Sequence, residues 1–240
     1  RRRSYRAGDM KVVLLTSVAG NGGSAATAFR TARLLREAGW EAVLFAPGSY
    51  WPERGKAEDV PVRSDLELRR GFHPGSFWRD CRALYRVLQS EESDAVIVQK
   101  SPEQWLAFLV LHFVRRPVAL VRMRGVVFPI RGHFFNRWLH NGMDRVLCSA
   151  SAIVDGYREL RHFQQQTVKL LLEGVDAGRF EPAGPEQRAA ARAAFGLDSE
   201  ALYFGTAGRP SPVKGHDVLV QAFAQFQSKL ASLPENADRP

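Results

Sequence analysis

Two loops carry the residues best suited to chemistry. In the first of these to consider, Gly208-Arg209-Pro210-Ser211-Pro212-Val213-Lys214-Gly215 follows an apolar run and precedes a helical pattern. The free N–H groups at a helix N-terminus, with the helix dipole behind them, attract anions. Arg209 adds a planar fork that matches phosphate oxygens, and Lys214 adds a point charge. A hydrogen bond to a charged group is worth ~1.5–3 kcal/mol net, so the pair is suited to holding a diphosphate. The bland alternative is a solvated basic turn.

The other loop lies near the start of the chain, where Gly20, Gly22 and Ala25 fit the spacing G-x-G-x-x-A. Dinucleotide binding needs, in addition, an acidic residue at the end of the second strand to hold a ribose. That strand ends Leu44-Phe45-Ala46-Pro47, with Glu41 at its beginning, so a nicotinamide or flavin dinucleotide is disfavoured. Gly22 and Gly23 leave the backbone open to a phosphate or a substrate; a simple strand-to-helix turn is the alternative. Arg122 and Arg124 close another predicted strand, at the end where open α/β sheets bind ligands. Either they grip an anionic acceptor or they are ordinary surface arginines.

Metal and thiol chemistry find little support. The six histidines are scattered, and Asp65-x-Glu67 is only a distant echo of a metal-binding D-x-D. Cys81 and Cys148 lie far apart and match no metal or redox spacing, which reads as buried thiols in a reducing compartment. No cofactor and no metal are expected, and no catalytic residue is assigned.

Alternating strand and helix patterns must position these loops, and they predict an α/β fold with a parallel sheet. Strands are expected at residues 11–17, 41–46, 95–99, 118–122, 145–149 and 168–172. Helices are expected at 25–38, 77–90, 102–114, 134–141 and 151–160. Residues 50–74 mix Pro, Gly and charge without periodicity and read as loops with short strands or turns. Gly and Pro cluster at 174–185, the best linker candidate. A helix at 185–195 then leads into a new strand at 201–207 and a helix at 216–230. This organisation gives a basic extension at 1–9, a Rossmann-like domain at 10–175, a linker and helix at 176–200, and the start of a second domain at 201–240, expected to be incomplete because one βα unit cannot cover both faces of a parallel strand.

The 240 residues carry a formal charge of +9, which suits nucleic acid, an anionic membrane or phosphate-bearing small molecules. No zinc-finger, RRM or KH pattern is present, so no nucleic acid is expected. No apolar stretch reaches the ~18 residues needed to span a bilayer. Trp78, Arg79, Arg82, Trp105, Arg115, Arg116 and Arg137 offer aromatic and basic groups to an anionic membrane surface.

At Gly205-Thr-Ala-Gly208-Arg209 and Lys214-Gly215-His216-Asp217-Val-Leu219, continuing to Ala222-Phe223, the sequence resembles glycosyltransferase family 4, of the two-domain GT-B fold. Two further segments look alike in the same order. Met10-Lys-Val-Val-Leu-Leu with Gly22-Gly23 is similar to the family's opening, and Glu173-Gly-Val-Asp176-Ala-Gly-Arg-Phe180 is similar to its N-G-V-D-x-x-R-F linker. The likeness covers nearly all of Met10–Phe226.

The resemblance implies a nucleotide-sugar donor whose diphosphate is held by Arg209 and Lys214. It also implies retention of anomeric configuration without a metal ion, and a glycan, lipid-linked or lipopolysaccharide-type acceptor met by the first domain. Such an enzyme of envelope polysaccharide would work in the cytoplasm, peripherally at the inner membrane face. Three departures stand out: Glu173 replaces the family's Asn, Arg122-Met123-Arg124-Gly125 lacks the His many members carry there, and the family's E-x7-E region is not in this chain. The chain by itself is therefore expected to be inactive. A non-catalytic ligand-binding module and a basic membrane-associating protein remain as other readings.

Overall fold

The computed structural model of the chain describes residues 10–69, 71, 73–127, 132–160, 163–164 and 167–232. The basic extension at 1–9, His162 and residues 233–240 lie outside the described residues. The chain divides into two compact units, Arg1–Gly174 and Val175–Pro240.

The first unit holds a 7-stranded parallel sheet: β1 (Lys11–Leu15), β2 (Glu41–Phe45), β3 (Val62–Arg63), β4 (Ala95–Val98), β5 (Ala119–Arg124), β6 (Arg145–Cys148) and β7 (Val168–Leu170). Its order is β3-β2-β1-β4-β5-β6-β7, every neighbour parallel. Helices α1 (Gly23–Glu37), α2 (Tyr50–Ala57), α3 (Pro74–Ser90), α4 (Ser101–Leu111), α5 (Phe134–Asn141) and α6 (Ser151–Arg158) connect the strands. This is a doubly wound, Rossmann-like α/β fold, as the alternating patterns predicted.

Side chains alternate across the strands, so each strand feeds two cores. Val12 and Leu14 of β1 pack with Ala25, Ala28, Phe29 and Ala32 of α1. Val13 and Leu15 join the opposite core with Leu84 and Leu88 of α3 and Leu106 and Phe108 of α4. Burial on both faces explains why these strands read as unbroken apolar runs rather than as alternating ones.

Helix α2 corrects the loop expected after residue 50. Its sequence, with Pro52 and Gly55, lacks helical periodicity; tertiary contacts supply the stability instead. Trp51 is wholly buried, with its ring 5.4 Å from that of Phe29. Gly55 sits where any Cβ would overlap the Val60 carbonyl, so glycine alone lets α2 lie this close to β3.

The second unit contains α7 (Pro185–Ala194), a single 3-10 turn at Pro212–Lys214 and α8 (His216–Ala231). Residues 201–207, expected to form a strand, form no strand ladder among the described residues. A strand exists through its ladder partners, and here none is hydrogen-bonded to it. Phe204 of this segment packs on α8 instead, 5.8 Å from Phe223 and 5.5 Å from Phe226.

Candidate functional site

The strand order reverses between β1 and β4, so the loops leaving these neighbouring strands diverge and open a crevice, the usual ligand position in open α/β sheets. One side chain ties the two loops together. Glu103, in the first turn of α4, is fully buried, and its carboxylate accepts from the N–H of Ser17 (2.5 Å), of Gln99 (3.3 Å) and of Lys100. Trp51 holds the β1 loop from its other side, donating its indole N–H to the carbonyls of Val18 (3.1 Å) and Gly20 (3.2 Å). Sequence reasoning assigned neither residue a role. The acidic residue three positions into a helix pattern was the visible sign for Glu103.

Gly22 is the N-cap of α1 and Gly23 its first residue. Gly22 has φ −135° and ψ 146°, extended backbone that any residue adopts, and a Cβ on Gly23 would meet nothing within 4 Å. The fold therefore does not demand glycine at 23. Open space over the first N–H groups of α1 is what a ligand-binding loop requires. Glu173 reaches the same helix start, its Oε1 accepting from the Thr27 hydroxyl at 3.4 Å, while Arg30 donates to the Gly174 carbonyl at 3.1 Å.

Arg122 and Arg124 are not surface arginines. They are 5% and 8% exposed and point from β5 into the core that also holds α4, α5 and α6. The Nη1 of Arg122 lies 3.5 Å from His140 Nε2, and the Tyr157 hydroxyl lies 3.1 Å from His140 Nδ1. The Arg124 guanidinium stands 5.7 Å from the centre of the Tyr157 ring. Burial, aided by the two guanidinium charges, lowers the His140 pKa to about 3. A neutral His140 then accepts from Arg122 at Nε2 and donates from Nδ1 to Tyr157. Burial likewise lowers the Arg122 pKa and raises that of Tyr157. Arg122 forms no ion pair among the described residues; the Glu103 charge is close enough to support it electrostatically. Two cations so placed create positive potential beneath the C-terminal end of β5.

In the second unit the 208–215 loop folds back on itself. The position a Gly208 Cβ would occupy lies 3.7 Å from the Lys214 methylenes and 3.7 Å from His216 Nε2. His216 Nε2 closes the loop with the Arg209 carbonyl at 3.2 Å, a positioning contact that sequence reasoning missed. Gly215, at φ 64°, takes the left-handed conformation natural to glycine and caps α8. Arg209 and Lys214 are exposed, so their charges are available just ahead of a 16-residue helix.

Thiol chemistry finds no support here. Cys81 and Cys148 are free, and burial pushes each thiol up to about 11, leaving it protonated and unreactive near neutrality.

The profile of the family described as "Glycosyl transferase 4-like domain" matches residues 22–171, more than half of the chain. The chain belongs to this family. Among curated proteins, this glycosyl transferase 4-like chain is 37% identical over 95 residues to a D-inositol 3-phosphate glycosyltransferase of Streptomyces avermitilis, a segment covering 39% of the chain and 20% of that protein. A protein of the same name from Saccharomonospora viridis is 37% identical over 81 residues, covering 34% of the chain and 18% of the relative. The matched segments thus span about a fifth of those relatives. Among solved structures, a glycosyltransferase from Rickettsia africae superimposes with a TM-score of 0.74 at 14% identity, covering 92% of this chain and 58% of that one. The Anabaena protein HepE, solved with UDP and glucose, gives 0.70 at 16% identity, covering 90% and 58%. At such identities these likenesses establish the fold, that of GT-B glycosyltransferases.

Proposed function

We propose that the protein carrying this chain transfers a sugar from a nucleoside-diphosphate sugar to an anionic acceptor, with retention of configuration and without a metal ion. The observation that carries this reading is the 208–215 loop in a member of the glycosyl transferase 4-like family. It sets Arg209 and Lys214 at the start of α8, where two full charges add to the helix dipole. As the glycosidic bond to the donor breaks, negative charge grows on the leaving diphosphate, and fixed cations stabilise that charge more than they stabilise the ground state. The solved neighbour bound to UDP and glucose supports this type of donor.

The first unit serves the acceptor in this reading. Gly22 and Gly23 leave the start of α1 open, and Glu103 and Trp51 hold the loop leading to it. Arg122 and Arg124 supply a positive field from beneath the crevice, which favours an acceptor bearing phosphate or another anion. The curated relatives' name, with its inositol phosphate, points the same way. The protein would work in the cytoplasm at the inner membrane face, on a glycan or lipid-linked precursor of envelope polysaccharide.

Titration calorimetry with UDP, GDP and ADP on the full-length protein tests the donor assignment. One of these nucleotides should bind, and Arg209→Ala or Lys214→Ala should each weaken it about tenfold or more, the loss of a charge-assisted hydrogen bond. Wild-type affinity in both variants would refute the assignment.

A further inference from the structure

The first unit contains a cleft of about 480 Å³ between α3 and α4, lined chiefly by Leu68, Phe77, Pro102, Trp105, Leu106 and Leu109. The volume falls within the ~300–1,000 Å³ range usual for ligand sites. Its place matters as much as its size. Ser101 and Pro102 open α4 directly after β4, and Leu68 lies in the segment following β3, so the cleft sits at the strand ends that carry the crevice loops. From this geometry we infer that the cleft receives the hydrocarbon chain of a lipid-linked anionic acceptor, an inference that rests on the glycosyltransferase reading above.

The lining suits a hydrocarbon better than a sugar. Two of its polar groups are already committed: Asp80 accepts from the N–H of Glu67 and of Leu68, both at 2.9 Å, and the Ser76 hydroxyl donates to the His73 carbonyl at 3.1 Å. A polyhydroxylated ligand would lose its hydrogen bonds to water with little in exchange. A hydrocarbon chain has none to lose. The wall is also held in a costly shape. Leu68 has φ 45°, a left-handed conformation that a bulky side chain rarely takes, and the Asp80 carboxylate fastens it there. Backbone strain of this kind clusters at ligand sites.

The surroundings indicate an anionic lipid. Helix α3 exposes Trp78, Arg79, Arg82 and Arg86 at helical spacing, while its one acidic residue, Asp80, is buried. Near the cleft, Arg69 at 2.8 Å and Arg79 at 2.5 Å share the Glu67 carboxylate, and the exposed Arg82 and Arg86 extend the basic face of α3. From Trp105, in the cleft wall, aromatic contacts continue to Trp138 at 6.2 Å on α5, which also exposes Phe134 and Phe135. Aromatic and basic groups together match the interface of an anionic bilayer, from which such a chain would enter.

Dodecyl phosphate, used below its micelle concentration, is a suitable probe, with inorganic phosphate and dodecyl maltoside for comparison. Binding to the 240-residue chain is followed by tryptophan fluorescence and calorimetry. Dodecyl phosphate should bind at least about tenfold more tightly than either comparison compound, since both chain and charge contribute. Leu109→Glu, which puts a charge in the cleft, and Ser101→Trp, which fills it from an exposed position, should each weaken that binding about tenfold. Trp78→Ser, outside the cleft, should leave it unchanged, which separates entry into the cleft from adsorption to the aromatic surface. Equal binding of dodecyl and inorganic phosphate, or wild-type binding in Ser101→Trp, would overturn the inference. The readout does not involve sugar transfer, so failure of the donor assignment shows itself separately, in the nucleotide titrations of the Arg209 and Lys214 variants.

Discussion

Arg122 reaches to 3.5 Å from Nε2 of His140, and the contact holds only while the imidazole is neutral. Burial and the neighbouring guanidiniums keep it so, with a pKa of about 3 against an ordinary 6.5. Between those values the unfolded chain takes up a proton that the folded chain refuses. The stabilisation is therefore complete above about pH 6.5 and is lost as pH falls towards 3. From pH 7 to pH 4.5 this one group should remove roughly 2–3 kcal/mol of stability. Denaturant titrations should show that loss in the wild type and a smaller one in His140→Gln. Equal losses in the two proteins would mean that His140 is not held neutral.

Glu103 should matter more to stability than an ordinary surface carboxylate. Glu103→Ala leaves three backbone N–H groups of the β1 and β4 loops without their acceptor, at a cost of about 3–5 kcal/mol. Trp51→Phe keeps an aromatic ring but removes the donor to Val18 and Gly20 together with part of the buried indole, and should cost about 2–4 kcal/mol. Hydrogen exchange at the amides of Ser17 and Lys100 checks the first variant directly, since both should lose protection. Unchanged protection would show that the loops hold themselves.

Two glycines should respond in opposite ways. A Cβ on Gly142 would overlap the Phe108 ring, so Gly142→Ala should destabilise by roughly 1–3 kcal/mol. A Cβ on Gly23 meets nothing, and alanine favours helix, so Gly23→Ala should be neutral or stabilising by up to ~1 kcal/mol. If residue 23 faces substrate, the same variant should nonetheless lose transfer activity in the full-length protein. Thermal melts and initial rates on one preparation decide this: an active Gly23→Ala protein would remove the loop from the substrate site.

The sheet was legible because parallel strands covered on both faces leave apolar, β-branched runs such as Val12-Val13-Leu14-Leu15, bounded by Gly and Pro. Helix α2 was hidden because a buried tryptophan holds it, and no local pattern records that. Residues 201–207 have the composition of a strand, but a strand also needs a neighbour, which composition does not supply. Arg122 and Arg124 were placed correctly at a strand end. Their burial was not foreseen, because it depends on His140 and Tyr157 from two later helices. Glu103 escaped notice for a related reason: its partners at Ser17 lie 86 positions away, joined to it only by the strand order.

The account stands most directly on donor kinetics of the full-length protein. With a donor sugar nucleotide identified, kcat/KM for donor should fall by about 2–4 kcal/mol of transition-state stabilisation in Arg209→Ala and in Lys214→Ala. Arg209→Lys should recover only part of the loss, because an ammonium does not reproduce the paired hydrogen bonds of a guanidinium. Affinity for the acceptor should be nearly unchanged throughout. Near-wild-type kcat/KM in both alanine variants would contradict the assignment of these two residues to the leaving diphosphate, and with it the central claim.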